Sequence, residues 1–133
     1  MISSYPVLMS SDVLGSADYY RTAFGYETTF ESDWYVSLRR GLWELALLDH
    51  AHATIPAGFG RPAGGVLINV EVDDVDSEYE RLIVREGLPM AQDIRSEDFG
   101  QRHFILIGPD QVLIDVIQPI EPSGEFSAQY VQS

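Results

Sequence analysis

The sequence predicts an α+β fold made of two β-α-β-β-β modules, and three observations carry that expectation. Landmarks repeat at a fixed interval: Asp12 and Asp74 each stand where an extended stretch gives way to a helical one, and Gly25 and Gly87 each close that helical stretch, both pairs 62 residues apart. Each helical stretch carries one apolar face. Three extended segments follow each of them.

The first helix has Val13, Ala17, Tyr20 and Phe24 at three- and four-residue intervals, and the second has Val75, Tyr79, Leu82 and Ile83. Asp12, and either Asp73 or Asp74, sit at N-cap places, where a short carboxylate accepts free backbone N–H bonds; Gly25 and Gly87 suit the left-handed residue past the last turn. Strands are expected over 26–32, 34–39 and 42–49, then over 89–94, 102–107 and 112–118, with turns at Arg40-Gly41 and Gly108-Pro109-Asp110. Residues 1–120 read as one domain: module one at 1–50, module two at 66–120, and between them a linker, 51–65, holding Pro56, Gly58, Gly60, Pro62, Gly64 and Gly65. Residues 121–133 read as a polar tail.

Composition narrows the function classes. The chain has 133 residues, 45% of them hydrophobic, enough for a packed interior. Its formal charge is −13, and all eight basic residues are Arg. Such a field repels nucleic acid and anionic lipid and concentrates cationic small molecules. With no Cys, thiolate chemistry, disulfides and zinc ribbons are excluded. No basic leader and no apolar run of spanning length is visible, so the expected location is the cytoplasm, without membrane or nucleic-acid partners.

Strand parity separates two surfaces. Leu45, Leu47, Ile68, Val70, Val72, Ile114 and Val116 make an apolar set suited to lie under helices. The opposite parity reads Tyr5, Val7, Met9; Leu42, Glu44, Ala46, Leu48; Leu67, Asn69, Glu71; Leu113, Asp115, Ile117. A few polar groups among apolar neighbours is how a pocket is lined, so two sheets facing one another around a cavity are expected.

The doubled module resembles the vicinal oxygen chelate superfamily, which includes glyoxalase I, extradiol dioxygenases and bleomycin resistance proteins. The resemblance is carried by residues 10–27 (SSDVLGSADYYRTAFGYE), 70–89 (VEVDDVDSEYERLIVREGLP) and 108–119 (GPDQVLIDVIQP), and it covers about residues 5–118. It implies that fold, with a concave mixed-sheet cavity. Metal-using relatives place ligands on the first and last strands of each half, which map here to Tyr5, Glu44, Leu67 and Asp115. Leu67 offers no lone pair and Tyr5 only a phenol that ionises near pH 10, so no metal and no cofactor are expected. A slipped register would bring in Asn69, and His103 would approach from the neighbouring strand. The segment from Trp34 to Gly41, an aromatic strand before an Arg-Gly turn, is similar to the bleomycin resistance branch, whose members lack the metal and bind a cationic drug between two subunits.

The expectation drawn from this is a metal-free, homodimeric protein that sequesters an aromatic or cationic compound such as an antibiotic, with no catalytic residue. Its ligand-binding candidates are Tyr5, Trp34, Tyr35, Trp43, Glu44, Leu67, Asn69, His103 and Asp115. The aromatic rings offer stacking faces, the carboxylates attract a cation, and His103 is the strand histidine suited to proton transfer. The alternatives are a lyase, isomerase or dioxygenase-type enzyme using Glu44 and Asp115, with or without a divalent metal, or an interaction module with a vestigial pocket. Against these stand blander roles: core packing for the aromatic rings, pairing of the carboxylates with Arg39 or Arg102, and decoration of the linker by His50 and His52.

Overall fold

Extended backbone at Asp12 and Asp74, with φ of −149° and −139°, ends the first strand of each module and turns a carboxylate onto the helix that follows. In the computed structural model, which describes residues 1–130, Asp12 accepts from the Gly15 N–H and Asp74 from the Ser77 N–H. Helix α1 (Val13–Phe24) closes where Gly25, at φ 71°, returns its N–H to the Arg21 carbonyl. Helix α2 (Val75–Tyr79) keeps ordinary winding for five residues and then widens into a π-helical segment, Glu80–Arg85, before Gly87 at φ 65°. The regular second helix expected from the periodicity is thus corrected. Its apolar marks fit either winding, so spacing alone does not separate α from π.

The chain divides into two units, Met1–Gly65 with Pro109–Gln111, and Val66–Gly108 with Val112 onward. In the first unit β1 (Val7–Ser10), β2 (Glu27–Glu31), β3 (Tyr35–Arg40) and β4 (Trp43–Asp49) form a sheet of order β1-β4-β3-β2, with β1 and β4 parallel. In the second, β5 (Leu67–Glu71), β6 (Met90–Glu97), β7 (Gln101–Ile107) and β8 (Leu113–Pro119) form a sheet of order β5-β8-β7-β6, with β5 and β8 parallel. The same β-α-β-β-β plan is therefore executed twice. The strand expectations hold to within a residue or two, except that β6 runs three residues beyond its expected end, through two register shifts.

Each unit buries one sheet face beneath its helix. Leu8, Val36, Leu38, Leu45 and Leu47 pack under Val13, Ala17, Tyr20 and Phe24; Phe104, Leu106, Ile114 and Val116 pack under Val75 and Leu82, with the Tyr79 ring edge-on to Phe104 at 5.4 Å. Each Val, Leu, Ile or Phe side chain among them contributes about 1.5–3 kcal/mol on leaving water. Ile68 and Val70, on edge strand β5, are half-buried.

The linker is a series of turns whose end is fixed by the Ala63 N–H on the Met9 carbonyl. Residues 121–130 do not trail away from the second unit. A 3-10 turn spans Gly124–Ala128, Ser123 binds Asp98 through backbone and side chain, and the Tyr130 hydroxyl donates to the Phe99 carbonyl. The rest of the expected tail, residues 131–133, lies outside the described residues.

Candidate functional site

Register decides which side chains share a row. In the second unit Asp115 lies opposite Asn69, and Leu67 lies opposite Leu113. In the first, Val7 lies opposite Ala46. The 62-residue interval matches Val7 to Asn69, so Asp115 corresponds to Ala46, and Glu44 to Leu113. The expectation that Glu44 and Asp115 hold equivalent last-strand places is corrected: they sit one alternate residue apart.

Both carboxylates are already engaged. Glu44 accepts from the Arg39 guanidinium at 3.0 Å across the β3–β4 pair, an exposed contact and the blander role foreseen for it. Asp115 meets His103 rather than Arg102, whose guanidinium instead holds Asp76. His103 and Asp115, only 4% and 6% exposed, form the buried polar centre of the second sheet. The ring places Nδ1 2.7 Å from Asp115 and Nε2 2.9 Å from Glu97, with the Gln92 amide 3.3 Å from Nε2. The hydrogen bond from His103, reinforced by Arg95 at 2.9 Å, holds the Glu97 carboxyl below the usual glutamate range. Phe99 closes the ring edge at 6.3 Å. With both nitrogens engaged and the ring covered, His103 has no free nitrogen to offer a substrate, and its expected place on a ligand-facing surface is corrected.

The aromatic candidates gather in the first unit. Trp34 is stacked on His52 at 3.7 Å and 6°, so one of its faces is spent inside the chain. Tyr35 tilts against Trp34 and meets Phe30 edge-on at 6.1 Å; burial pushes its hydroxyl pKa up, and the neighbouring Tyr5 hydroxyl adds to the shift. Tyr5 precedes β1 and is exposed, whereas Trp43, 68% exposed, leaves its ring free beside the Gly41 turn. Leu67 and Asn69 are exposed on edge strand β5.

The residues that the resemblance mapped to ligand places, Tyr5, Glu44, Leu67 and Asp115, do not fit a transition ion. Leu67 has no donor atom, Glu44 is held by a guanidinium, and Asp115 is held by an imidazole whose other nitrogen points to a second carboxylate. A ring bonded at opposite nitrogens keeps its two carboxylates apart, so they do not converge on one point. Among the described residues no group of three His, Cys, Asp or Glu side chains gathers as a metal site.

A feature beyond the candidate set lies on the same helix-free face of the second unit. A cavity of about 180 Å³ is lined by Glu71, Gly100, Gln101, Ile117, Pro119, Ile120, Pro122 and Tyr130. Strand alternation signals part of it: Glu71 and Ile117 continue the mixed parity of Asn69 and Asp115. Its outer wall comes from the segment after β8, which carries no periodic pattern, and so does not stand out in the sequence. Glu97 and Gln92 are hidden likewise by the irregular register of β6.

No family model matches the chain, and no curated protein is similar to it in sequence. Solved structures are similar in fold. A glyoxalase/bleomycin resistance protein/dioxygenase from Nocardioides matches with a TM-score of 0.71 at 22% identity, over 94% of this chain and 91% of that one. The fold is that of the glyoxalase/bleomycin resistance/dioxygenase proteins. A bleomycin resistance determinant encoded on the transposon Tn5 matches with a TM-score of 0.63 at 21% identity, over 90% of this chain and 98% of that one. A lactoylglutathione lyase from Agrobacterium tumefaciens gives 0.69 at 20% identity, over 89% and 94%. Structures with this fold include both a resistance determinant and a lyase, so the fold alone does not choose a function.

Proposed function

We propose that the chain is a metal-independent small-molecule binding protein that sequesters an aromatic or cationic compound, with an antibiotic as the physiological class and a homodimer in the cytoplasm as the working form. The observation that carries this reading is the commitment of both candidate carboxylates within their own units, Glu44 to Arg39 and Asp115 to His103. Lone pairs so used are not offered to an ion, and an imidazole capped at both nitrogens is not offered as a base. The charge of −13 favours a cationic ligand, and the exposed Trp43 ring offers it a stacking face. The solved neighbours include a bleomycin resistance determinant, which supports a drug as the ligand class. No helix is long and apolar enough to cross a membrane among the described residues.

The test is calorimetric titration of the purified protein with a panel of cationic aromatic antibiotics, with and without chelator. Saturable binding that chelator leaves unchanged and Trp43→Ala weakens is the expected result. Elemental analysis decides the enzymatic reading: stoichiometric nickel, iron, zinc or manganese, lost in Glu44→Ala, overturns the proposal. Sedimentation as a monomer alone removes the dimer from it.

A further inference from the structure

We infer that the cavity between β5, β7, β8 and the segment after β8 binds the ammonium end of an aliphatic amine, with Glu71 as its counter-charge. This names the ligand chemistry of the binding function proposed above and rests on it.

The polar groups of the cavity face solvent: Glu71 and Tyr130 are exposed and Gln101 is half-buried. Neither the Glu71 carboxylate nor the Gln101 amide has a hydrogen-bond or ion-pair partner among the described residues, and no basic side chain lines the space. Glu71 stands opposite Ile117 on the β5–β8 pair, and Gln101 stands opposite Pro119 on the β7–β8 pair, so an apolar strip separates the two polar groups. Tyr130 supplies a third acceptor. Its hydrogen is given to the Phe99 carbonyl, which leaves the phenol oxygen's lone pairs for a ligand. Glu71 is the one charged group of the lining and so the partner for an ammonium, while the Gln101 amide and the Tyr130 phenol are further polar groups on the far side of the apolar strip.

The remaining walls select an organic cation over an inorganic one. Ile117, Pro119, Ile120 and Pro122 offer hydrocarbon, which rewards burial of an alkyl chain and gives a bare ion nothing in exchange for its hydration. Size limits the occupant. The space is about 180 Å³ and open to solvent on one side, so it takes a short alkylammonium or the aminoalkyl end of a larger molecule.

The outer wall is built into place. Gly100 is at φ 108°, where a Cβ would come within 3.0 Å of both the Ile120 carbonyl oxygen and the Tyr130 hydroxyl. Its carbonyl accepts from the Ile120 N–H at 2.9 Å, the Ser123 N–H reaches the Asp98 carbonyl at 2.8 Å, and Phe126 meets Phe99 edge-on at 6.0 Å. The β6–β7 turn, at Asp98, Phe99 and Gly100, thus holds the segment over the end of the sheet.

Butylammonium chloride is the probe, with butanol and tetramethylammonium as controls, followed through the amide NMR shifts of Gly100 and Ile120. Butylammonium is expected to bind with a dissociation constant on the order of millimolar, as suits so few atoms. Glu71→Gln is expected to weaken it about two- to fivefold, as suits an ion pair on an exposed carboxylate. Tyr130→Phe is expected to weaken it less, and both controls to bind far more weakly than butylammonium. Equal binding by wild type and Glu71→Gln, or by butanol and butylammonium, overturns the assignment. If the antibiotic panel binds wild type and Glu71→Gln alike while butylammonium shifts neither amide, the cavity assignment falls and the binding function stands. If no cation binds at all, both fall.

Discussion

The two units follow one topological plan and handle their last-strand carboxylates in opposite ways. In the first, Glu44 lies at the rim of its sheet and meets Arg39 in solvent; in the second, Asp115 lies under cover and meets a histidine that passes the contact to Glu97. One residue of alternation along β4 and β8 makes the difference. A carboxylate opposite an edge-strand Asn in the middle of the row is enclosed by its neighbours, whereas one at the start of the strand reaches water. An exposed pair is dispensable, and a buried one is not.

That contrast is open to direct measurement. Asp115→Ala leaves the buried His103 Nδ1 without its carboxylate partner, with an expected loss of about 3–5 kcal/mol and a fall of roughly 10 °C in melting temperature by calorimetry. A loss below 1 kcal/mol would erase the distinction between the units. Asp12→Ala and Asp74→Ala each remove an N-cap and are expected to cost about 1 kcal/mol in denaturant titrations, so equal costs would show that the π-helical continuation leaves the start of α2 intact. Glu44→Ala is expected to change stability by less than about 1 kcal/mol in the same titrations.

The smallest expected effect is on pH dependence, and its sign follows from Glu97. Its folded pKa is depressed, first by the His103 hydrogen bond and then by that of Arg95, so its contribution is present above the ordinary glutamate value of about 4.3 and is lost as pH falls through the lower folded value. Asp76, held down by Arg102, and Asp93, held down by the Tyr79 hydroxyl, act in the same direction and also belong to the second unit. Acid titration followed by NMR should therefore show the amides beside Glu97, Asp76 and Asp93 moving only at pH values below the ordinary carboxylate range. Glu97→Gln should flatten the stability curve below pH 4.3. An unchanged slope would remove Glu97 from the account.

Much of the fold was legible because its signals are local. The caps at Asp12 and Asp74 and the glycines at 25 and 87 are short-range backbone chemistry, and they repeat. The buried faces followed from alternation. The site was less legible because it depends on register and on pairing. Nothing in the spacing of Glu44 and Asp115 reports that they occupy different rows, and the partnership of His103 with both Asp115 and Glu97 requires three strands to be laid side by side. The buried hydroxyls of Tyr19 and Tyr20 illustrate the same limit. Tyr20 belongs to the apolar helix pattern and Tyr19 does not, yet among the described residues neither hydroxyl has a hydrogen-bond partner, and burial pushes the Tyr19 pKa up to about 12 and that of Tyr20 higher still.

The turn at Pro109–Gln111 has a consequence for how the polypeptide is divided. It is encoded far along the chain but belongs to the first unit, where the Asp110 carboxylate receives both the Ser11 N–H at 3.1 Å and the Ser11 hydroxyl. Cutting the gene within the linker would yield an amino-terminal fragment deprived of that acceptor. The two halves, for all their internal symmetry, are not interchangeable cassettes: separate expression would leave the first one missing a piece that only its sibling carries.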